Sequence, residues 1–109
     1  MTHITIYQSQ NQDVEGFSCS GHAGFADSGY DIVCASISVL VINTINSIEA
    51  FTSCPFICES DEENGAIDFR FTEEITQDAA LLIDAMILGL KGIQEDYGSA
   101  YITLEFKEV

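Results

Sequence analysis

Apolar and polar residues alternate from His3 to Tyr7, which puts Ile4 and Ile6 on one face, and again from Val14 to Ser20, where Phe17 and Cys19 share a face. A period of two marks a strand buried on one side, and the polar run Gln8 to Asp13 supplies the turn of a first hairpin. From Cys34 to about Thr52 the period lengthens. Ile37, Leu40, Val41, Thr44, Ile45, Ile48 and Phe51 recur at helical spacing, predicting a helix with a broad apolar stripe and Cys34 in its first turn. After Pro55, Phe56 to Ser60 and Ala66 to Phe71 predict a second hairpin turning at Asn64-Gly65, beyond the acidic Asp61, Glu62 and Glu63. Ile67, Phe69 and Phe71 share one face of it, Asp68 and Arg70 the other. Thr72 is placed to cap a second helix, with Glu73 and Glu74 in its positive first turn. Its stripe is Ile75, Ala79, Leu82, Met86, Leu90, Ile93 and Tyr97, and Gly98 is its natural stop. In the last run, Tyr101 to Lys107, Ile102, Leu104 and Phe106 oppose Thr103 and Glu105. The expected fold is a two-layer α+β domain of order ββαββαβ, a mixed five-stranded sheet with two helices packed on one face.

Both helices carry apolar residues off the main stripe, Val39 and Ile42 on the first, Leu81 and Leu88 on the second. A second apolar face needs a second partner, and a homodimer covers it most simply. At 109 residues with 47% hydrophobic content, the chain suits a single domain over 1–109 with one real core. The run Ile32 to Phe51 is interrupted by Asn43, Asn46, Ser47 and Glu49, so it is expected as a buried helix rather than a membrane span. No basic leader precedes an apolar segment, and the four cysteines are expected as thiols, which points to the reducing cytoplasm. Charge narrows the partners further: 18 Asp and Glu against 3 Lys and Arg give a net charge of −15. Such a surface repels nucleic-acid phosphates, so direct nucleic-acid binding is not expected; it attracts basic polypeptides, though it also serves plain solubility.

Chemistry concentrates between the first hairpin and the first helix. Gly21-His22-Ala23-Gly24 and Asp31-Ile32-Val33-Cys34-Ala35 set a histidine and a cysteine on either side of a loop hinged by Gly21, Gly24 and Gly29. Thiol hydrolysis needs a thiolate, a base to take its proton, and access for the substrate. Spacing alone also fits a loop histidine and a small buried thiol. The wording of the segment is more specific: Gly21-His22-Ala23-Gly24-Phe25-Ala26, Gly29, Asp31-Ile32-Val33-Cys34-Ala35 and Ser38 resemble the signature of the ribosomal-processing cysteine protease family, Prp. The opening strand, Gly16-Phe17, Asn46, Glu49, Leu81-Leu82 and Gly89-Leu90-Lys91-Gly92-Ile93 extend the resemblance over nearly the whole chain. Ser36 and Ile37 depart mildly from it, and Cys19, Cys54 and Cys58 lie outside it.

The resemblance implies a cysteine endopeptidase without a cofactor, with Cys34 as nucleophile and His22 as base. The substrate it implies is the precursor of a basic large-subunit ribosomal protein, the one numbered twenty-seven, which loses an N-terminal extension at a bond resembling Phe-Phe followed by Ala. A helix N-terminus favours a thiolate, and the backbone N–H groups of Cys34 and Ala35 are the expected oxyanion donors. Asp31 is placed either to orient His22 or to cap the helix. Gly21, Gly24, Phe25, Gly29 and Tyr30 form the expected substrate loop, Phe25 and Tyr30 serving equally well as local packing. Ser38 is expected to pack or to bond the backbone. Cys54 and Cys58 are poorly spaced for one metal ion, and they and Cys19 are expected as structural thiols. Two rival classes remain: a non-catalytic acidic module that binds a basic ribosomal protein, and a thiol-based sensor.

Overall fold

The computed structural model describes residues 2–21, 28–61, 63 and 65–109, and the side chains of 28–31 are not among the described features. The elements run β1 (Thr2–Gln8), β2 (Val14–Ser20), α1 (Ser28–Phe51), β3 (Phe56–Asp61), β4 (Ala66–Phe71), α2 (Gln77–Tyr97) and β5 (Ile102–Glu108). The sheet order is β3-β4-β2-β1-β5. Neighbours are antiparallel except β1 and β5, which run parallel with Ile4 beside Leu104. The sheet is therefore mixed, as the sequence predicts.

Alternation sorts the two sheet faces. Thr2, Ile4, Ile6, Phe17, Cys19, Ile67, Phe69 and Ile102 are buried beneath the helices. Phe69 is the centre of this face, its ring 4.9 Å from that of Phe17, 4.7 Å from Phe56 and 4.9 Å from Phe71. The other face is polar: Tyr7 exchanges a 3.2 Å hydrogen bond with Ser18, and the Arg70 guanidinium sits 4.0 Å above the Tyr7 ring while reaching Asp68 at 3.1 Å. At the far end of the first hairpin Tyr7 pairs with Gly16 but Gln8 pairs with Val14, so Glu15 is the extra residue of a bulge. Gly16 is required there, because a Cβ would lie 2.3 Å from the Phe69 carbonyl oxygen on β4.

The helices differ from expectation at their starts. α1 begins at Ser28, six residues before the expected Cys34, so Cys34 lies in its second turn and Asp31 inside its first turn rather than ahead of it as a cap. α2 begins after Thr76 instead of Thr72, and Thr76 accepts a hydrogen bond from the Ala79 N–H, which Asp78 also accepts at 2.8 Å. Glu73 and Glu74 therefore precede the helix. Thr72 is held instead to the end of the preceding loop, its N–H donating to the Pro55 carbonyl at 3.1 Å. Gly98 closes α2 at φ 92°, its N–H donating to the Gln94 carbonyl at 2.7 Å.

The stripes shift with true helical periodicity. On α1, Val33, Ile37, Val41, Thr44 and Ile48 are buried, whereas Phe51, the last residue of the helix, is 78% exposed. On α2 the buried set is Ala79, Ile83, Met86, Ile87 and Leu90, with Leu82 and Ile93 half-buried beside it and Tyr97 exposed. Ile83 and Ile87 thus belong to the core although the expected stripe passed beside them. By length and composition Ile32–Phe51 is apolar enough to cross a membrane. In this fold its stripe is occupied by the sheet and α2.

Candidate active site

Cys34 reaches the sheet from the second turn of α1. It is 6% exposed, and its Sγ lies 3.8 Å from the Oγ1 of Thr2 on β1, a side chain with no solvent exposure. Either atom can be the donor, so Thr2 donates to the thiolate or accepts from the thiol. Thr2 was absent from the residues singled out in the sequence. The signal was there in the alternation of β1, since Thr2 shares a face with Ile4 and Ile6, but a terminal threonine carries no apolar flag.

β2 ends at the same place. His3 pairs with Ser20 and Ile4 with Cys19, so β2 ends beside the start of β1, and Gly21 is the next residue. Gly21 has φ 84°, a left-handed conformation that turns the chain away from β2 without the Cβ clash another residue would suffer. The residue that follows it is His22. Thr2, Cys34, Cys19 and Gly21 are therefore gathered at one end of the sheet. His22, Gly24 and Phe25 lie outside the described residues, and Gly29, Tyr30 and Asp31 fall in the first turn of α1.

Burial divides the thiols. Cys19, 2% exposed, has its pKa pushed up to about 11, mainly by desolvation and secondarily by the charge of Cys34 nearby. At neutral pH Cys19 is a protonated core thiol, as expected for it. Cys54 is also buried, just ahead of β3 and not within it; its Sγ lies 3.9 Å from the Glu74 carbonyl. Cys58 is exposed on the outer strand β3, contrary to the expected burial, and partial desolvation followed by the Asp68 charge pushes its thiol up. One thiol before the strand and one on its surface do not form a shared chelating pair.

The extended α1 changes the electrostatic argument. In a helix that starts at Ser28, the N–H groups of Cys34 and Ala35 fall at positions where the α-helical ladder directs them to the carbonyls four residues earlier. They are not free ends, and the macrodipole has faded by the second turn. The expected oxyanion donors are thus committed to the helix in this conformation. Ser36 Oγ donates to the Ile32 carbonyl at 2.9 Å, and Ser38 is half-buried.

Comparison with known proteins defines the class. The family described as Cysteine protease Prp matches residues 1–103. The Ribosomal processing cysteine protease Prp of Bacillus subtilis is 34% identical over 101 residues, covering 89% of this chain and 90% of that protein. The protein of the same name from Staphylococcus aureus is 31% identical over 107 residues, 98% of this chain and all of its own. The fold and the buried thiol therefore belong to a cysteine protease. The crystal structure of the S. aureus ribosomal processing protease Prp with a covalently linked product peptide superposes with a TM-score of 0.88 at 28% identity, covering 98% of this chain and 100% of that one. The same protease with a substrate peptide gives 0.91 at 27% identity, again over 98% and 100%. The chain belongs to the Prp family of ribosomal-processing cysteine proteases.

Proposed function

We propose that this protease acts through a Cys34–His22 dyad and removes the N-terminal extension of the basic large-subunit ribosomal protein numbered twenty-seven. One observation supports the dyad: Ser20, two residues before His22, pairs with His3, and the adjacent Thr2 lies 3.8 Å from Cys34 Sγ. His22 takes the Cys34 proton, the thiolate attacks the scissile carbonyl, and His22 then protonates the leaving amine. Water hydrolyses the resulting thioester, releasing the extension's carboxylate and the free thiol. The covalently linked product peptide of the S. aureus relative supports a covalent route.

Access is the second requirement, since Cys34 is nearly buried. In this reading the glycine-hinged loop from Gly21 to Gly29 and the first turn of α1 rearrange around the peptide, exposing Sγ and releasing the N–H groups of Cys34 and Ala35 to the oxyanion. In the same reading Asp31 orients His22, and Phe25 and Tyr30 contact the peptide. Coupling assembly to binding limits attack on other proteins. The free thiols favour the cytoplasm. Val39, Leu81 and Leu88 are exposed, and a second copy of the chain is the partner that would cover them.

The test is to incubate the purified protein, its Cys34→Ala variant and its His22→Ala variant with the precursor and weigh the products by mass spectrometry. The expected result is one shortened product with the wild type and none with Cys34→Ala. His22→Ala is expected to lose at least about a hundredfold in rate, the usual contribution of a positioned base. No cut by the wild type overturns the substrate assignment. Intact precursor retained equally by all three proteins identifies a binding module instead.

A further inference from the structure

A groove of about 310 Å³ opens where α1 crosses the hairpin end of β3 and β4. Ile42 and Ile45 form its helix wall with Asn46, while Cys58 and Ile67 form its sheet side with Ser60. The register explains the composition. Cys58 pairs with Phe69 and Ser60 with Ile67, so these four share the helix-facing side, but β3 is the outermost strand and no further strand lies beyond it among the described residues. Ile42 is left 47% exposed. The volume is at the lower end of the roughly 300–1,000 Å³ of small-ligand sites, enough for a bulky side chain rather than a cofactor.

Two features identify the occupant. First, the groove lies along α1 from the nucleophile: Ile42 is eight residues and Ile45 eleven beyond Cys34, about 12–16 Å at 1.5 Å per residue. Counting across the sheet gives a similar separation, because Cys34 sits over β1 and the groove over β4 and β3, two to three strand spacings of about 4.8 Å away. An extended peptide covers that distance in four or five residues at about 3.3 Å each. Second, the groove lining includes Asp61, in a chain whose net charge is −15. A basic polypeptide is the complementary partner.

We infer that this groove is a substrate subsite, taking an apolar side chain of a basic polypeptide four or five residues from the bond that Cys34 attacks. The inference rests on the protease reading above and adds the residues that select the substrate. Ile42, Ile45 and Ile67 discriminate by apolar contact, and Asp61 favours a basic residue alongside. Cys58 in the wall supplies a reporter.

The experiment uses the Cys34→Ala variant, in which Cys58 is the one exposed thiol. Its alkylation by iodoacetamide is timed with and without a precursor peptide spanning the cleaved junction, and with the same peptide carrying Ser in place of the apolar residues four and five positions from the bond. In parallel, Ile42→Ser is assayed in the otherwise wild-type enzyme; its half-exposed position makes misfolding a small risk. The subsite predicts slower Cys58 alkylation by about tenfold with the native peptide only, and a KM raised about tenfold with kcat nearly unchanged for Ile42→Ser. Cleavage by the wild type with Cys58 unprotected and kcat/KM unchanged in Ile42→Ser overturns the subsite and leaves the protease reading intact. Protection without cleavage by the wild type upholds the groove as a docking site and overturns the precursor as substrate. Neither cleavage nor protection overturns both.

Discussion

Two thiols sit under the same end of the sheet, and their immediate surroundings differ. Cys34 has a hydroxyl at 3.8 Å, whereas Cys19 faces the apolar core and is held protonated up to about pH 11. The raised value has a consequence for stability. Below about pH 8.5, the ordinary thiol range, Cys19 is protonated both folded and unfolded and contributes no pH dependence. Between there and pH 11 the unfolded chain releases the proton that the folded chain keeps, so stability falls as pH rises. A shift of this size corresponds to about 3 kcal/mol at 1.36 kcal/mol per unit. Urea midpoints measured from pH 8 to 11 are expected to fall less steeply in Cys19→Ala than in the wild type. Parallel curves would show that Cys19 titrates normally in the fold.

Among the elements, the hairpins and β5 were legible because alternation and turn residues act locally. Ile4, Phe17 and Phe69 are buried where period two put them. The helix starts were not, for different reasons. Ser28 to Ile32 contains a glycine and two polar side chains without an apolar period, so its helical state follows from extension of the strongly patterned body behind it. For α2, Thr72 and Thr76 are both threonines near acids, and the contest is decided by packing: Ile75 is drawn against the core, and Asp78 adds a second acceptor for Ala79. At the site, Cys34 and His22 stood out through family resemblance, Thr2 did not, and the α1–hairpin groove was invisible because its walls are remote in sequence. Strand contact at Gly16 offers a direct check on the sheet. Gly16→Ala forces a Cβ to within 2.3 Å of the Phe69 carbonyl, a backbone atom that moves only with β4. The expected cost is about 2–3 kcal/mol, read as a lower urea midpoint, since overpacking costs that much in rigid surroundings. A midpoint unchanged from the wild type would mean that β2 and β4 are farther apart than described.

On the scale of the whole molecule the dominant quantity is the net charge of −15, carried with only 3 Lys and Arg to offset it. Among the described residues the ion pair between Arg70 and Asp68 is solvent-exposed, and pairs of that kind contribute little. Uncompensated like charge destabilises the compact state and accelerates encounter with a basic partner, and salt weakens both effects. The Debye length shrinks from about 30 Å at 0.01 M to about 3 Å at 1 M ionic strength. Two measurements should therefore move in opposite directions over that range. The urea midpoint is expected to rise with salt as self-repulsion is screened. For the basic precursor, kcat/KM is expected to fall by about tenfold or more, with kcat nearly constant because the chemical step follows the encounter. A short uncharged peptide spanning the same junction separates steering from any general effect of salt on the enzyme. If its kcat/KM holds while that of the precursor falls, the acidic surface gathers substrate; if both fall together, the charge serves solubility rather than substrate capture.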